Sequence, residues 1–140
     1  MKPSPNLHQR FPALASLEAG PFSALLGLKV ENAAEGRAFV RMPFDPRLLN
    51  YGPPKVPIHG GAIAALADFA ACAAVWTMPE TQRSATVSIT VNYSGPGIQS
   101  DLVALAQVRR KGRRIASLTV EIRDNANALV ADALVTYKIA

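Results

Sequence analysis

The chain has 140 residues, 49% of them hydrophobic, and its 15 basic and 10 acidic side chains leave a net charge of +5. That length supports one core burying roughly two-thirds of the unfolded surface, with no room for a second. One cysteine and two histidines exclude a disulfide framework and a Cys/His metal site; residues 1–20 hold no continuous apolar run of the kind an export signal needs, and the longest apolar run, residues 62–76, is interrupted by Asp68 and too short to span a bilayer, so a single domain (1–140) in the reducing cytoplasm is expected.

Residues 1–21 form an N-terminal extension, with a helix predicted around residues 11–18 and a short turn at FSALLG. The stretches LGLKVENA and GRAFVRMPF read as two strands joined by a turn at Glu35 and Gly36. A proline-rich loop, residues 43–57, leads to IHGGAIAALADFAACAAVW, residues 58–76. This run is apolar on every side of a helix except at Asp68, so the helix is expected to be enclosed, by a curved sheet and in part by a second subunit. Its eight alanines let neighbouring backbones approach closely. Gly60 and Gly61 leave the first helical N–H groups uncovered, where the positive end of the helix dipole can meet a carbonyl oxygen or an anion.

Four strands are expected after the helix. ATVSITVNY alternates Val87, Ile89, Val91 and Tyr93 against Ser88, Thr90 and Asn92, and DLVALAQVRR follows a Gly-Pro-Gly turn. RRIASLTVEIRD alternates Leu118, Val120 and Ile122 against polar residues, and ALVADALVTYKI places Ala131, Ala133, Val135 and Tyr137 on one face. Short connections among these strands imply an antiparallel sheet with one buried face.

An ionised carboxylate buried without partners costs several kcal/mol. Asp68 is therefore tied to a backbone or hydroxyl partner, neutral, or open to a wet cleft or ligand cavity, and the last makes it a candidate general base. Cys72, one turn later, has no base beside it in the sequence and reads as a small buried hydrophobe. Phe69 and Trp76 read as core or pocket wall.

The segment HGGAIAALAD resembles the HGG and LAD signature of hotdog-fold acyl-CoA thioesterases, in the phenylacetate-pathway (PaaI-like) branch. LLGLKV, GRAFVRMP and LLN before it, with TVSITVNYSGP, RRKGRRIASLTVEIRD and ALVADALVTYKI after it, extend the resemblance from about residue 22 to the C-terminus. It implies an α+β hotdog fold, a curved antiparallel sheet wrapped around a long central helix, in dimers that pair into tetramers with active sites at the dimer interface. It implies that Asp68 acts as general base on water or as nucleophile on the thioester carbon, and that the Gly60 backbone N–H donates to the thioester oxygen. His59 then positions the loop or contacts the thioester, or is a structural histidine bonded to backbone at the helix start. Thr86 matches a Ser/Thr that orients the water or the carboxylate, unless it is an ordinary strand threonine. Asn50 is the candidate for an Asn that precedes the HGG segment, though eight residues separate it from His59 where about five are expected, so residues 51–57 read as a proline-stiffened insertion.

The segment RRKGRR packs five basic residues into six positions. Arg109, Arg110, Lys111, Arg113 and Arg114 are either a solvated hairpin that keeps the sheet soluble or a grip on the coenzyme A phosphates, for which the Arg fork is suited. No aromatic residue interleaves with them, so nucleic acid is not the expected partner. The expected activity is hydrolysis of an aryl- or medium-chain acyl-CoA to free acid and coenzyme A, with no metal or redox cofactor and no membrane partner. A hotdog protein that binds an acyl-CoA or other hydrophobic ligand without turnover, and an acyl-thioester hydratase or dehydratase, are the competing readings.

Overall fold

Three short helices stand where one helix and a turn are expected: α1 (Leu7–Arg10), α2 (Ala13–Ala19) and α3 (Pro21–Leu26), in a computed structural model that describes residues 4–52 and 56–140. The break falls at Phe11 (φ −133°, ψ 76°) because a residue before proline is pushed out of the helical region, and Pro12 then begins the next helix. FSALLG is helical because Pro21 opens the segment with its φ already set and Gly27 closes it in the left-handed conformation (φ 69°). Part of the loop insertion expected at residues 51–57, residues 53–55, lies outside the described residues.

The strand pair β1 (Lys29–Ala34) and β2 (Arg37–Met42) forms as expected around Glu35 and Gly36. A 3-10 turn (Pro46–Leu48) follows, and then α4 (Gly60–Trp76). Strands β3 (Ser84–Tyr93), β4 (Leu102–Lys111), β5 (Ile115–Asp124) and β6 (Leu129–Ile139) complete one six-stranded antiparallel sheet in the order β1-β2-β4-β5-β6-β3. The sheet curves around α4, which is the hotdog arrangement.

The order places the consecutive strands β3 and β4 apart. The Gly-Pro-Gly segment does not make a hairpin, since β3 and β4 are not neighbours; the chain crosses the start of α4 and β3 pairs with β6 at the sheet edge. That crossing is anchored where the Ile58 N–H donates to the Gly97 carbonyl at 2.8 Å.

Period two holds in β5 and β6, where Leu118, Val120, Ile122, Ala131, Ala133, Val135 and Tyr137 are all buried. These side chains, with Ala38, Ala104 and Ala106 of β2 and β4, pack on Leu66, Ala67, Ala70, Ala71, Ala73 and Ala74 of α4. Small residues on both surfaces allow the close approach that a helix inside a curved sheet requires. The helix is not enclosed on every side, however: Ala65, Asp68, Cys72 and Trp76 form a half-buried stripe at helical spacing.

Candidate active site

Asp68 occupies this stripe, two turns from the start of α4. Its Oδ1 accepts hydrogen bonds from the Thr86 hydroxyl and from the Tyr137 hydroxyl, each at 2.7 Å. The Tyr137 oxygen also lies 3.1 Å from the Asp68 carbonyl. Oδ2 has no partner among the described residues, and no buried side-chain oxygen is left unsatisfied among them, so Oδ2 is reached by solvent. Of the alternatives open to a lone carboxylate in an apolar helix, the geometry shows hydroxyl partners on one oxygen and leaves the other in reach of solvent.

Thr86 reaches Asp68 because β3 is bulged. Strict alternation puts Thr86 on the face of Ser88 and Thr90, opposite Ile89 and Val91. The register with β6 pairs Thr86 with Tyr137 and then Ser88 with Thr136, a shift that leaves Val87 without an opposite residue. Phase changes there. Ser84 and Thr86 before the bulge and Ile89, Val91 and Tyr93 after it all pair with inward residues of β6, namely Ile139, Tyr137, Val135, Ala133 and Ala131. The single buried face expected of β3 is corrected accordingly: each of its residues is at least partly exposed, since β3 is an edge strand whose inward face, with Ile89 and Val91, is only partly covered by the core.

At the other end of the site, His59 caps α4 by accepting the Gly61 N–H on Nδ1 at 2.8 Å, which leaves the imidazole proton on Nε2. A Cβ on Gly61 would lie 3.0 Å from that nitrogen, so a larger residue there would press the imidazole away from its capping position. The His59 N–H donates to Leu48, and the Asn50 N–H donates to Pro57 at 3.0 Å. These bonds and the Leu49–Ile58 bridge pinch the neck of the inserted loop and return Asn50 to the helix start. Asn50 and Gly60 line one groove of about 430 Å³ with Ile63, Tyr93 and Pro96. The Gly60 N–H has no partner among the described residues, whereas its carbonyl accepts the Tyr93 hydroxyl at 2.7 Å.

Cys72 lies 3.8 Å from the Ser84 hydroxyl, which also accepts the Trp76 indole N–H at 2.9 Å. Burial pushes the Cys72 thiol above its ordinary range and the Asp68 charge adds to this, so the thiol is no ready nucleophile, in keeping with its reading as a small hydrophobe. Burial likewise raises the Tyr137 hydroxyl, with the neighbouring Cys72 and Asp68 charges acting in the same direction. Tyr137 is therefore a hydrogen-bond donor at neutral pH.

The basic hairpin stands beside the C-terminal end of α4, where Lys111 pairs with Glu80 and the Arg114 carbonyl accepts from Ile139. Arg109 donates to Thr119 at 2.7 Å, while Arg110, Arg113 and Arg114 are exposed. Within one chain the hairpin and Gly60 are at opposite ends of the helix.

Sequence reasoning passed over Tyr137 and Tyr93 as site residues. The available signal was the hydroxyl of a tyrosine on a buried apolar strand face, which must find a partner in the core just as Asp68 must.

The Thioesterase superfamily profile matches residues 58–131. A Halobacterium salinarum protein, provisionally named as an esterase, is 33% identical over 102 residues, covering 71% of this chain and 67% of that protein. The medium/long-chain acyl-CoA thioesterase YigI of Salmonella typhimurium is 28% identical over 134 residues, 85% of each chain. Among solved structures, the Escherichia coli PaaI protein of the phenylacetic acid degradation operon superposes with a TM-score of 0.82 at 25% identity over 96% of both chains.

Proposed function

The chain belongs to the thioesterase superfamily, and from that premise we propose that it hydrolyses an acyl-CoA thioester to a free acid and coenzyme A, with an aryl or medium-chain acyl group. The observation that carries the reading is Asp68, with one carboxylate oxygen tied by two hydroxyls and the other open to solvent on a half-buried helix stripe. The name of the YigI relative supports the acyl-CoA class.

In the proposed reaction the thioester carbonyl oxygen accepts the Gly60 N–H at the positive end of α4. Water attacks the carbonyl carbon and gives its proton to Asp68 Oδ2; collapse of the intermediate breaks the C–S bond, and the Oδ2 proton passes to the departing sulfur. In the nucleophilic variant Oδ2 itself attacks, the coenzyme A thiolate leaves, and water hydrolyses the resulting anhydride. Neither route draws on a metal or redox cofactor.

Gly60 and Asp68 of one chain are too distant to act on one carbonyl, since eight residues of helix span about 12 Å. The proposed site therefore combines Gly60 and Asn50 of one copy with Asp68 and Thr86 of a second. Exposed edge strand β3, carrying Val87 (58% exposed) and Tyr93 (53%), and the stripe of α4 supply the surface for that pairing. Two such dimers make the proposed tetramer. At least one of Arg109, Arg110, Lys111, Arg113 and Arg114 holds the coenzyme A phosphates.

Release of free thiol from a panel of acyl-CoA substrates tests the proposal. Hydrolysis confined to one acyl class would support it and name that class. Folded protein that binds coenzyme A but hydrolyses no member would overturn it in favour of a ligand-binding role.

A further inference from the structure

We propose that Tyr137 is a positioning residue that, with Thr86, holds Asp68 Oδ1 and so assigns the proton-accepting or attacking role to Oδ2 alone. The inference rests on the thioesterase reading and extends it to residues at the rear of the carboxylate.

Both hydroxyls are 2.7 Å from the same oxygen, and they come from opposed positions on β3 and β6. A hydroxyl has one proton to give. Tyr137, kept protonated by its burial, spends that proton on Asp68, as does Thr86, so Oδ1 is engaged as a double acceptor and a proton arriving at Asp68 lands on Oδ2. The pairing also fixes the carboxylate plane. A carboxylate on a flexible Cβ–Cγ bond would otherwise swing, and misplacement of a reacting atom by about 1 Å can cost about 10²-fold in rate.

The sheet is built to make this contact. Tyr137 is 3% exposed and lies on the inward face of β6, the face that also buries Ala133, Val135 and Ile139. Its partner across the ladder, Thr86, faces inward only because of the bulge at Val87. Without that extra residue the register that runs from Tyr93 back to Ser88 would continue and oppose Tyr137 to Val87, and Asp68 would keep one hydroxyl donor instead of two.

The test uses the intact chain and three variants, Tyr137→Phe, Thr86→Val and the double substitution, assayed on the acyl-CoA that the wild type hydrolyses fastest. Each single variant is expected to lower kcat by about tenfold, the scale of losing one hydrogen bond to a charged group, with KM within about twofold. The double variant should lose more than the product of the two, because only then does Oδ1 lose every donor. An unchanged kcat in folded Tyr137→Phe, or a fall matched by its loss of folded protein, would overturn the inference. If Tyr137→Phe does not fold, the proton NMR spectrum of the wild type decides: a slowly exchanging low-field hydroxyl proton that disappears in Asp68→Ala, which has no acceptor there, supports the contact, and its absence from the wild type overturns it. A wild type that hydrolyses no acyl-CoA is a separate result, and removes the thioesterase reading itself.

Discussion

Gly60 and Asp68 stand on one helix, about 12 Å apart along its axis, so one chain cannot bring both to a single carbonyl. A shared site makes a complementation prediction. Gly60→Pro removes the N–H donor, and proline suits the first helical position, with His59 already at ψ 133° as a residue before proline requires. Gly60→Pro and Asp68→Asn should each be inactive, yet refolding them together in equal amounts should restore up to about a quarter of wild-type activity. In each mixed dimer one site has both native groups. Mixtures as inactive as their parents would place both groups in one chain or remove one of them from the chemistry.

Asp68→Asn by itself should lower kcat by about 10²–10⁴ with KM little changed. The fold should survive, because an amide oxygen can take over the two hydroxyl bonds now made to Oδ1. Thermal unfolding within a few degrees of the wild type and steady-state kinetics on the same sample check both halves.

Stability should fall in alkali. Burial raises both the Cys72 thiol and the Tyr137 hydroxyl in the folded chain, so the folded state keeps protons that the unfolded state gives up. Their contribution is complete below the unfolded values, about 8.5 for the thiol and about 10 for the phenol, and is lost progressively above them. Urea midpoints between pH 7.5 and pH 10.5 should decline, and Cys72→Ala should flatten the earlier part of that decline. A midpoint independent of pH would contradict the burial of both groups.

His59 is expected to act through the helix. His59→Ala should cost about 1 kcal/mol, seen as a fall of about 3–5 °C in Tm, and His59→Asn should recover most of it because asparagine is a strong helix cap. Were the two variants equally slow despite different stabilities, the imidazole would belong on the substrate.

Coenzyme A phosphates, if held by the basic hairpin, should make binding charge-dependent. Arg113→Ala with Arg114→Ala should raise KM for an acyl-CoA several-fold, with a weaker dependence on salt. The same acyl group on pantetheine, which lacks the nucleotide phosphates, should show no such change. Equal KM shifts on both substrates would move the hairpin away from the phosphates.

The amino-acid sequence by itself determined α4, β5 and β6, and it singled out Asp68. A long apolar run with glycines at its start and strict alternation over ten residues are local signals that hydrophobic burial enforces wherever the segment packs. It could not determine the place of β3. Which strand covers an edge is settled by contacts far apart in the chain, and β3 pairs with the last strand and not with the next. Nor could periodicity reveal the bulge at Val87, because one added residue reverses every side chain beyond it at no visible cost in composition. Tyr137 illustrates the same limit: its buried face was legible, but its bond to a carboxylate 69 residues earlier was not. Tertiary structure alone decided how the two polar groups that the core had to satisfy found one another, since the chain specifies the need for a partner locally and supplies the partner only on folding.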